Sequence, residues 1–216
     1  MKPEIRMLAM DVTPLRDPSL FQSCYETQPR WRREKIDLIR RLPDKALSLG
    51  AGLLLQKALP GADLAQICFG ENGKPYLPGS QTQFNLSHAG DWALCAVGNA
   101  PLGCDIEQMR SFKMSVARRF FCAEETRMLE EAEGQAQTDL FFRLWTLKES
   151  YLKAVGKGLS KPLNSFCVTF ENGGPALSGF ENEWLLREYP VAGGYRCALC
   201  AAAGSAPPEA VETVKI

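Results

Sequence analysis

The chain has 216 residues, 25 of them basic and 25 acidic, with a single histidine and a formal net charge of zero. That balance excludes a protein that coats nucleic acid through a strongly basic surface. One histidine also excludes metal sites built from several histidines, and it restricts any Ser-His-Asp triad to His88. Apolar residues make up 45% and charged residues 23%, an ordinary globular composition. The length suits one large domain or two of about 100 residues.

Residues 1–11 carry Lys2, Glu4, Arg6 and Asp11 and lack the apolar core of a signal peptide. The longest apolar runs, such as 93–97, fall far short of the roughly 20 residues a spanning helix needs. A cytoplasmic protein with no membrane association is expected. The eight cysteines, at 24, 68, 95, 104, 122, 167, 197 and 200, lie mostly in apolar runs. In a reducing cytosol they are expected as free thiols. Cys197 and Cys200 form a C-x-x-C inside a strand-like run, where an offset of three sends the sulfurs to opposite faces. No second pair completes a zinc site.

In chain order, the pattern predicts helices near 31–41 and 44–58, the second stopped by Pro60-Gly61. Strand-like runs follow at 66–69, 83–86, 92–97 and 103–107. A helical region over 111–133, broken near 121–123, ends at Gly134-Gln135. A strong helix over 138–155 places Leu140, Phe141, Leu144, Leu147, Tyr151, Leu152 and Val155 on one broad face, and Gly156 and Gly158 close it. Three more strands are expected at 165–171, 183–189 and 195–202.

Charge is segregated although it cancels. Residues 30–45 hold seven bases against three acids, and residues 124–139 hold six acids against Arg127. Each reads as a solvated helix face, and the basic segment could also seat a phosphate. The two halves of the chain also resemble each other. Glu71-Asn72-Gly73-Lys74-Pro75 recurs as Glu171-Asn172-Gly173-Gly174-Pro175, and Ala93-Leu94-Cys95-Ala96 recurs as Ala198-Leu199-Cys200-Ala201. The order of elements agrees in both halves. The expected architecture is α+β: two similar subdomains, residues 1–103 and 104–216, related by a pseudo-twofold with a site between them. The copies are unequal, since Lys74 becomes Gly174. A repeat that supplies internally what a dimer supplies between chains points to a monomer.

Four constellations carry charge or hydrogen-bonding chemistry. On a strand, Asp105 and Glu107 share one face while Cys104 and Ile106 take the other. D-x-E alone is a weak metal signal and more often describes a solvated sheet edge. Glu149 and Lys153, four apart on a helix, could be a surface ion pair, but bulky apolar neighbours argue for burial. Ser87-His88 ends a strand at a glycine turn without a nucleophile elbow, and a lone histidine is most often structural. Lys74-Pro75 puts a cation on a rigid turn. Together, Asp105, Glu107 and Glu149 would form an all-oxygen site suited to magnesium, with Lys74, His88 and Lys153 as donors to phosphate oxygens. Three carboxylates and several cations without an internal nucleophile suit phosphoryl-type transfer.

These residues, in this order, resemble the 4′-phosphopantetheinyl transferases, in particular the long two-lobed type. The matching pieces are G-K-P at 73–75, F-N-L-S-H-A-G at 84–90, G-C-D-I-E at 103–107 and L-W-T-L-K-E-S-Y-L-K-A-V-G-K-G-L at 144–159. R-E-K at 33–35 and S-L-G-A-G-L-L-L at 48–55 extend the likeness toward the N-terminus. The resemblance implies magnesium-dependent transfer of phosphopantetheine from coenzyme A to a serine of an apo acyl- or peptidyl-carrier protein, releasing 3′,5′-ADP. It implies magnesium on Asp105, Glu107 and Glu149, with Glu149 taking the serine proton and Lys153 steadying the phosphate. Coenzyme A would be framed by Lys74, Pro75, Ser87 and His88, with Arg32, Lys35 and Lys45 at its 3′-phosphate. The sequence departs from the family pattern at Leu47, where many relatives carry an arginine, at Ala89 and at Cys104. Two other readings stand beside this one: a silent coenzyme A or carrier-protein binder, and a magnesium-dependent pyrophosphate hydrolase.

Overall fold

β1 (Ile5–Asp11) is buried except at its two charged positions, Arg6 and Asp11, so both faces of the strand are covered. It lies inside a four-stranded sheet. One neighbour is β5 (Trp92–Gly98), antiparallel, which in turn pairs with β4 (Gln83–Ala89). The other is β11 (Glu212–Thr213), which returns from the end of the chain to run parallel to β1. Arg6 and Glu212 pair at 3.0 Å beside that junction. The computed structural model describes residues 4–156, 161–171, 174–180 and 182–216. Gly158, Asn172 and Gly173 therefore lie outside the described residues.

One face of this sheet is covered by α1 (Pro18–Glu26), α2 (Arg30–Asp37) and α3 (Leu42–Ala58). The core there joins Leu8, Met10, Phe84, Ala93 and Cys95 to Leu49, Leu54 and Leu55 of α3. Leu47 packs into this core. The other face meets a second sheet, β6 (Leu102–Gln108), β10 (Tyr195–Ala202) and β9 (Trp184–Glu188), in a cluster with Met7, Leu94, Cys104, Ile106, Cys197 and Leu199. Beyond the second sheet lie α4 (Met114–Phe120), α5 (Ala123–Glu131) and α6 (Gly134–Val155), packed on Ala198 and Cys200. Cys197 and Cys200 thus face opposite cores. Arg143 of α6 clasps Glu188 of β9 with two hydrogen bonds of 2.8 Å. Both E-N-G-x-P turns belong to antiparallel hairpins. The first joins β2 (Cys68–Phe69) to β3 (Pro75–Tyr76), and the second joins β7 (Val168–Glu171) to β8 (Gly174–Leu177).

Three details depart from the sequence reading. The break expected at Gly134-Gln135 falls at Ala132 and Glu133, both extended, and α6 begins at Gly134. The acidic run is not all solvated: Glu125 is fully buried and accepts two hydrogen bonds of 2.7 Å from Lys148, itself fully buried on α6. Glu125 also takes the backbone N–H of Cys122 and of Val168, so one carboxylate ties α5, α6 and β7 together. Finally, Cys122 and Cys167 are joined by a disulfide across 45 residues, whereas the other six cysteines are free.

Candidate active site

The two sheets meet at β4 and β6 through side chains rather than a backbone ladder. The side-chain oxygen of Asn85 on β4 accepts the N–H of Cys104 on β6 at 2.9 Å. Ser87, two residues along β4, donates to Asp105 Oδ1 at 2.7 Å. Asn85 and Ser87 are both buried, and their side chains bond across the seam to β6. Asn85 carried no signal in the sequence beyond its place in the matched motif.

Period-two alternation then decides the faces of β6. Leu102, Cys104 and Ile106 enter the core between the sheets. Gly103, Asp105 and Glu107 face α6. At Gly103 a Cβ would collide with the backbone of Ser150 and Ala154, so glycine is what lets the helix lie against the strand. That contact brings Lys153 to Asp105 Oδ1 at 2.6 Å and to Ser87 Oγ at 3.0 Å. Glu149, one turn earlier, faces the same space.

The result is a cleft of about 620 Å³ lined by Asp105, Glu107, Glu149, Lys153, Ser87, His88, Lys74, Pro75, Arg32 and Lys35, among others. Ten of the eleven residues singled out from the sequence therefore come together. Lys45 does not line the cleft: it stands on the first turn of α3, whose inward positions are Ala46, Leu47 and Leu49. Lys74 lines it, but its ammonium is already engaged with the carbonyls of Leu102, Lys153 and Ala154, at 3.0, 2.7 and 3.1 Å. An ammonium has only three N–H donors, so a free phosphate donor at Lys74 is not what the structure contains. Sequence reasoning missed Trp31, Phe69, Asn72 and Trp145, which also line the cleft. The Trp31 and Phe69 rings meet edge to face at 5.3 Å.

The electrostatics of the cleft are unbalanced in two places. Glu107 is pushed up to about 7 by burial and by Asp105, with Glu149 adding to it against the pull of Lys153 and Arg110. Glu149 is raised by burial and by Asp105. Burial alone would depress Lys153, but Asp105 and Glu149 outweigh it and hold the ammonium above its ordinary value. Asp105 Oδ2 is buried and finds no hydrogen-bond partner among the described residues. An orphaned carboxylate oxygen in a cleft that Glu107 and Glu149 also line is all-oxygen donor chemistry of the kind a hard divalent cation such as magnesium takes. At the other end, Arg32 is buried, its Nε lacks a partner among the described residues, and desolvation lowers its guanidinium to about 10. Burial, then Arg32, lowers Lys35. His88 is lowered by desolvation, then by Lys153 and Lys35, so its imidazole is neutral at neutral pH. Among the described residues Arg32 and Lys35 have no anionic partner, which suits them to receive one.

The 4′-phosphopantetheinyl transferase superfamily matches residues 101–200. The chain is 38% identical over 180 aligned positions to a 4′-phosphopantetheinyl transferase of Bacillus subtilis, covering 79% of this chain and 80% of that one. It is 32% identical over 227 positions to the 4′-phosphopantetheinyl transferase psf-1 of Bacillus pumilus, covering 98% and 94%. To the 4′-phosphopantetheinyl transferase Sfp of Bacillus subtilis strain 168 it is 40% identical over 136 positions, 61% of each chain. A likeness that runs almost end to end, over a cleft that gathers the charged residues of its motifs, has one consequence: this chain belongs to the 4′-phosphopantetheinyl transferase family.

Proposed function

We propose that the cleft between β6, α6 and the basic α2 is where this enzyme moves the 4′-phosphopantetheine arm of coenzyme A onto a serine of an apo carrier protein, releasing 3′,5′-ADP. The observation that carries the reading is the convergence of three carboxylates, an unpartnered buried oxygen among them, with Lys153 on one side of a single cleft. Arg32, with an unpartnered buried Nε, stands on the other. The two subdomains, taken as residues 1–103 and 104–216 around a pseudo-twofold, supply opposite walls. Arg32, Lys35 and His88 come from the first, and Asp105, Glu107, Glu149 and Lys153 from the second.

Asp105, Glu107 and Glu149 would hold magnesium, which when bound neutralises pyrophosphate charge and polarises the phosphorus. The protein's own groups do the rest. Arg32 and Lys35 take the 3′-phosphate, and Phe69, set edge to face against Trp31, offers an aromatic surface for the adenine. Neutral His88 donates to pyrophosphate oxygens, while Ser87, its one O–H given to Asp105 and its oxygen accepting from Lys153, holds those two groups beside the coenzyme. The carrier serine hydroxyl attacks the β-phosphorus. The new Ser O–P bond forms as the bridging P–O bond to the nucleotide breaks, and the electron pair leaves with 3′,5′-ADP. Glu149, whose raised carboxyl makes it a better base than an ordinary glutamate, accepts the serine proton. Lys153, held cationic, steadies the charge that builds on the phosphoryl oxygens.

The test is to incubate the protein with coenzyme A, magnesium and an apo carrier protein and weigh the carrier. A gain of about 340 Da, the pantetheine arm plus phosphate, supports transfer. Cleavage of the pyrophosphate with no gain on any carrier makes the protein a hydrolase. Binding of coenzyme A with neither outcome makes it a binding module. Location in the cytoplasm and a monomeric state accompany this reading.

A further inference from the structure

The last carbonyls of a helix have no donor within their own helix, and they carry the negative end of its dipole. In α6 that end belongs to the residues that follow Glu149. Gly156 terminates the helix in the left-handed region, φ 69°, and its N–H returns to the carbonyl of Leu152. The next carbonyls are served from the opposite half of the chain. Lys74 donates to the carbonyls of Lys153 and Ala154, and Asn72 Nδ2 donates to the carbonyl of Gly156 at 3.0 Å. The same Lys74 ammonium bonds the carbonyl of Leu102, at the start of β6. One cation thus fixes the first residue of the strand that bears Asp105 and the backbone of Lys153 itself. Burial lowers Lys74 from its ordinary value, yet a half-buried cation against three carbonyls remains a charge-assisted clamp.

We propose that Lys74 is a positioning residue of the transfer reaction: with Asn72 it caps α6 from the other subdomain and sets where Lys153 stands relative to Asp105. The proposal explains an asymmetry of the repeat. The second E-N-G-x-P turn has Gly174 at the position of Lys74, and a single catalytic helix needs a single such cap. It also separates Lys74 from Arg32 and Lys35, whose charges face the cleft. Lys74 acts through Lys153 rather than by gripping coenzyme A. The inference rests on the reading that Lys153 works on the phosphoryl group.

The test uses the full chain with Lys74→Met, which keeps the length of the side chain and removes its donors. Steady-state transfer to an apo carrier, coenzyme A binding by calorimetry, and hydrogen–deuterium exchange over residues 150–156 are measured together. The expected result is a loss of kcat of about tenfold or more with the coenzyme A dissociation constant within about threefold, because a misplaced catalytic group costs rate rather than ground-state binding. Exchange over the last turn of α6 should also quicken. Coenzyme A binding weakened tenfold with kcat retained would overturn the proposal, as would unchanged exchange. If Lys74→Met does not fold, Asn72→Ala removes only the Gly156 contact and should move kcat and exchange in the same direction; no change in either overturns the proposal. If the wild-type protein transfers nothing, the functional reading fails, while the exchange measurement still decides whether Lys74 caps α6.

Discussion

Lys153 and Asp105 form an ion pair of 2.6 Å at one carboxylate oxygen, Oδ1, while the other, Oδ2, is buried and accepts no hydrogen bond from any described residue. In the proposed reaction, a cation on one oxygen and an open position on the other would let a single aspartate serve the phosphate and the metal at once. Several consequences can be measured.

The contact depends on how closely α6 lies on β6. Gly103→Ala puts a methyl group against the backbone of Ser150 and Ala154, and neither can yield as a flexible side chain would. The helix must move off the strand, carrying Glu149 and Lys153 with it. We expect transfer to fall by about a hundredfold, the cost of displacing catalytic groups by about 1 Å, with a lowered melting temperature. A variant with wild-type kcat would show that the close approach is not needed.

The pH response follows from Glu107. Its carboxyl is raised to about 7 in the metal-free cleft, by burial first and then by Asp105. A raised acid favours the folded state when protonated. That contribution is complete below the ordinary glutamate range and is lost as pH rises through about 7. The metal-free protein should therefore lose stability from this site as pH climbs through that window. Magnesium, which needs the ionised carboxylate, should raise the melting temperature above pH 7 and progressively less below it. Melts with magnesium and with a chelator across the window test this; a magnesium shift that does not change with pH would contradict it.

The buried Lys148–Glu125 pair gives a sharper stability test. Both side chains are fully buried, so removing one strands the other without its counter-charge. Lys148→Met should cost about 3–5 kcal/mol in urea unfolding. Lys148→Met combined with Glu125→Gln should recover part of that loss, because no uncompensated charge remains. If the double variant is as unstable as the single one, the loss lies in packing instead.

The disulfide between Cys122 and Cys167 closes a segment across 45 residues and ties the start of α5 to the strand that carries Val168. Opening a loop of that size should cost about 4 kcal/mol through the entropy of the unfolded chain. Comparing urea unfolding of the wild type and of Cys122→Ser under oxidising conditions measures it. Equal stability would show that the bond adds nothing to the fold.

How much of this was legible depended on how local each signal was. The strands around Ser87, Asp105 and Cys200 and the helix bearing Glu149 announce themselves by alternation, apolar periodicity and glycine stops. Position on one face of β6 or α6 then followed from spacing alone. β1 gave no such signal: it is covered on both sides, so Met7, Leu8, Ala9 and Met10 do not alternate. α1 has no fully buried residue, packing on the core only through the partly buried Leu20, Phe21, Cys24 and Tyr25, with its start capped by the Asp17 side chain accepting the N–H of Leu20. β11 exists only because the chain's end pairs with Leu8 and Ala9. Across the site, Asp105 and Lys153 could be paired by charge. The engagement of Lys74 with carbonyls about 80 residues away could not, because backbone acceptors leave no mark in the residue types. The same holds for Glu125, whose acidic neighbours disguise it as part of a wet helix face.

The proposed reaction requires that Asp105, Glu107 and Glu149 make one magnesium site that drives transfer. Asp105→Asn keeps the size of the side chain and removes its charge. Intact-mass analysis of an apo carrier protein, incubated with coenzyme A and graded magnesium, gives the rate for wild type and variant. The expected result is magnesium-dependent conversion by the wild type and a loss of about a thousandfold in the folded variant that added magnesium does not restore. Equal rates for the two proteins, or a wild-type rate indifferent to magnesium and its removal, would contradict it.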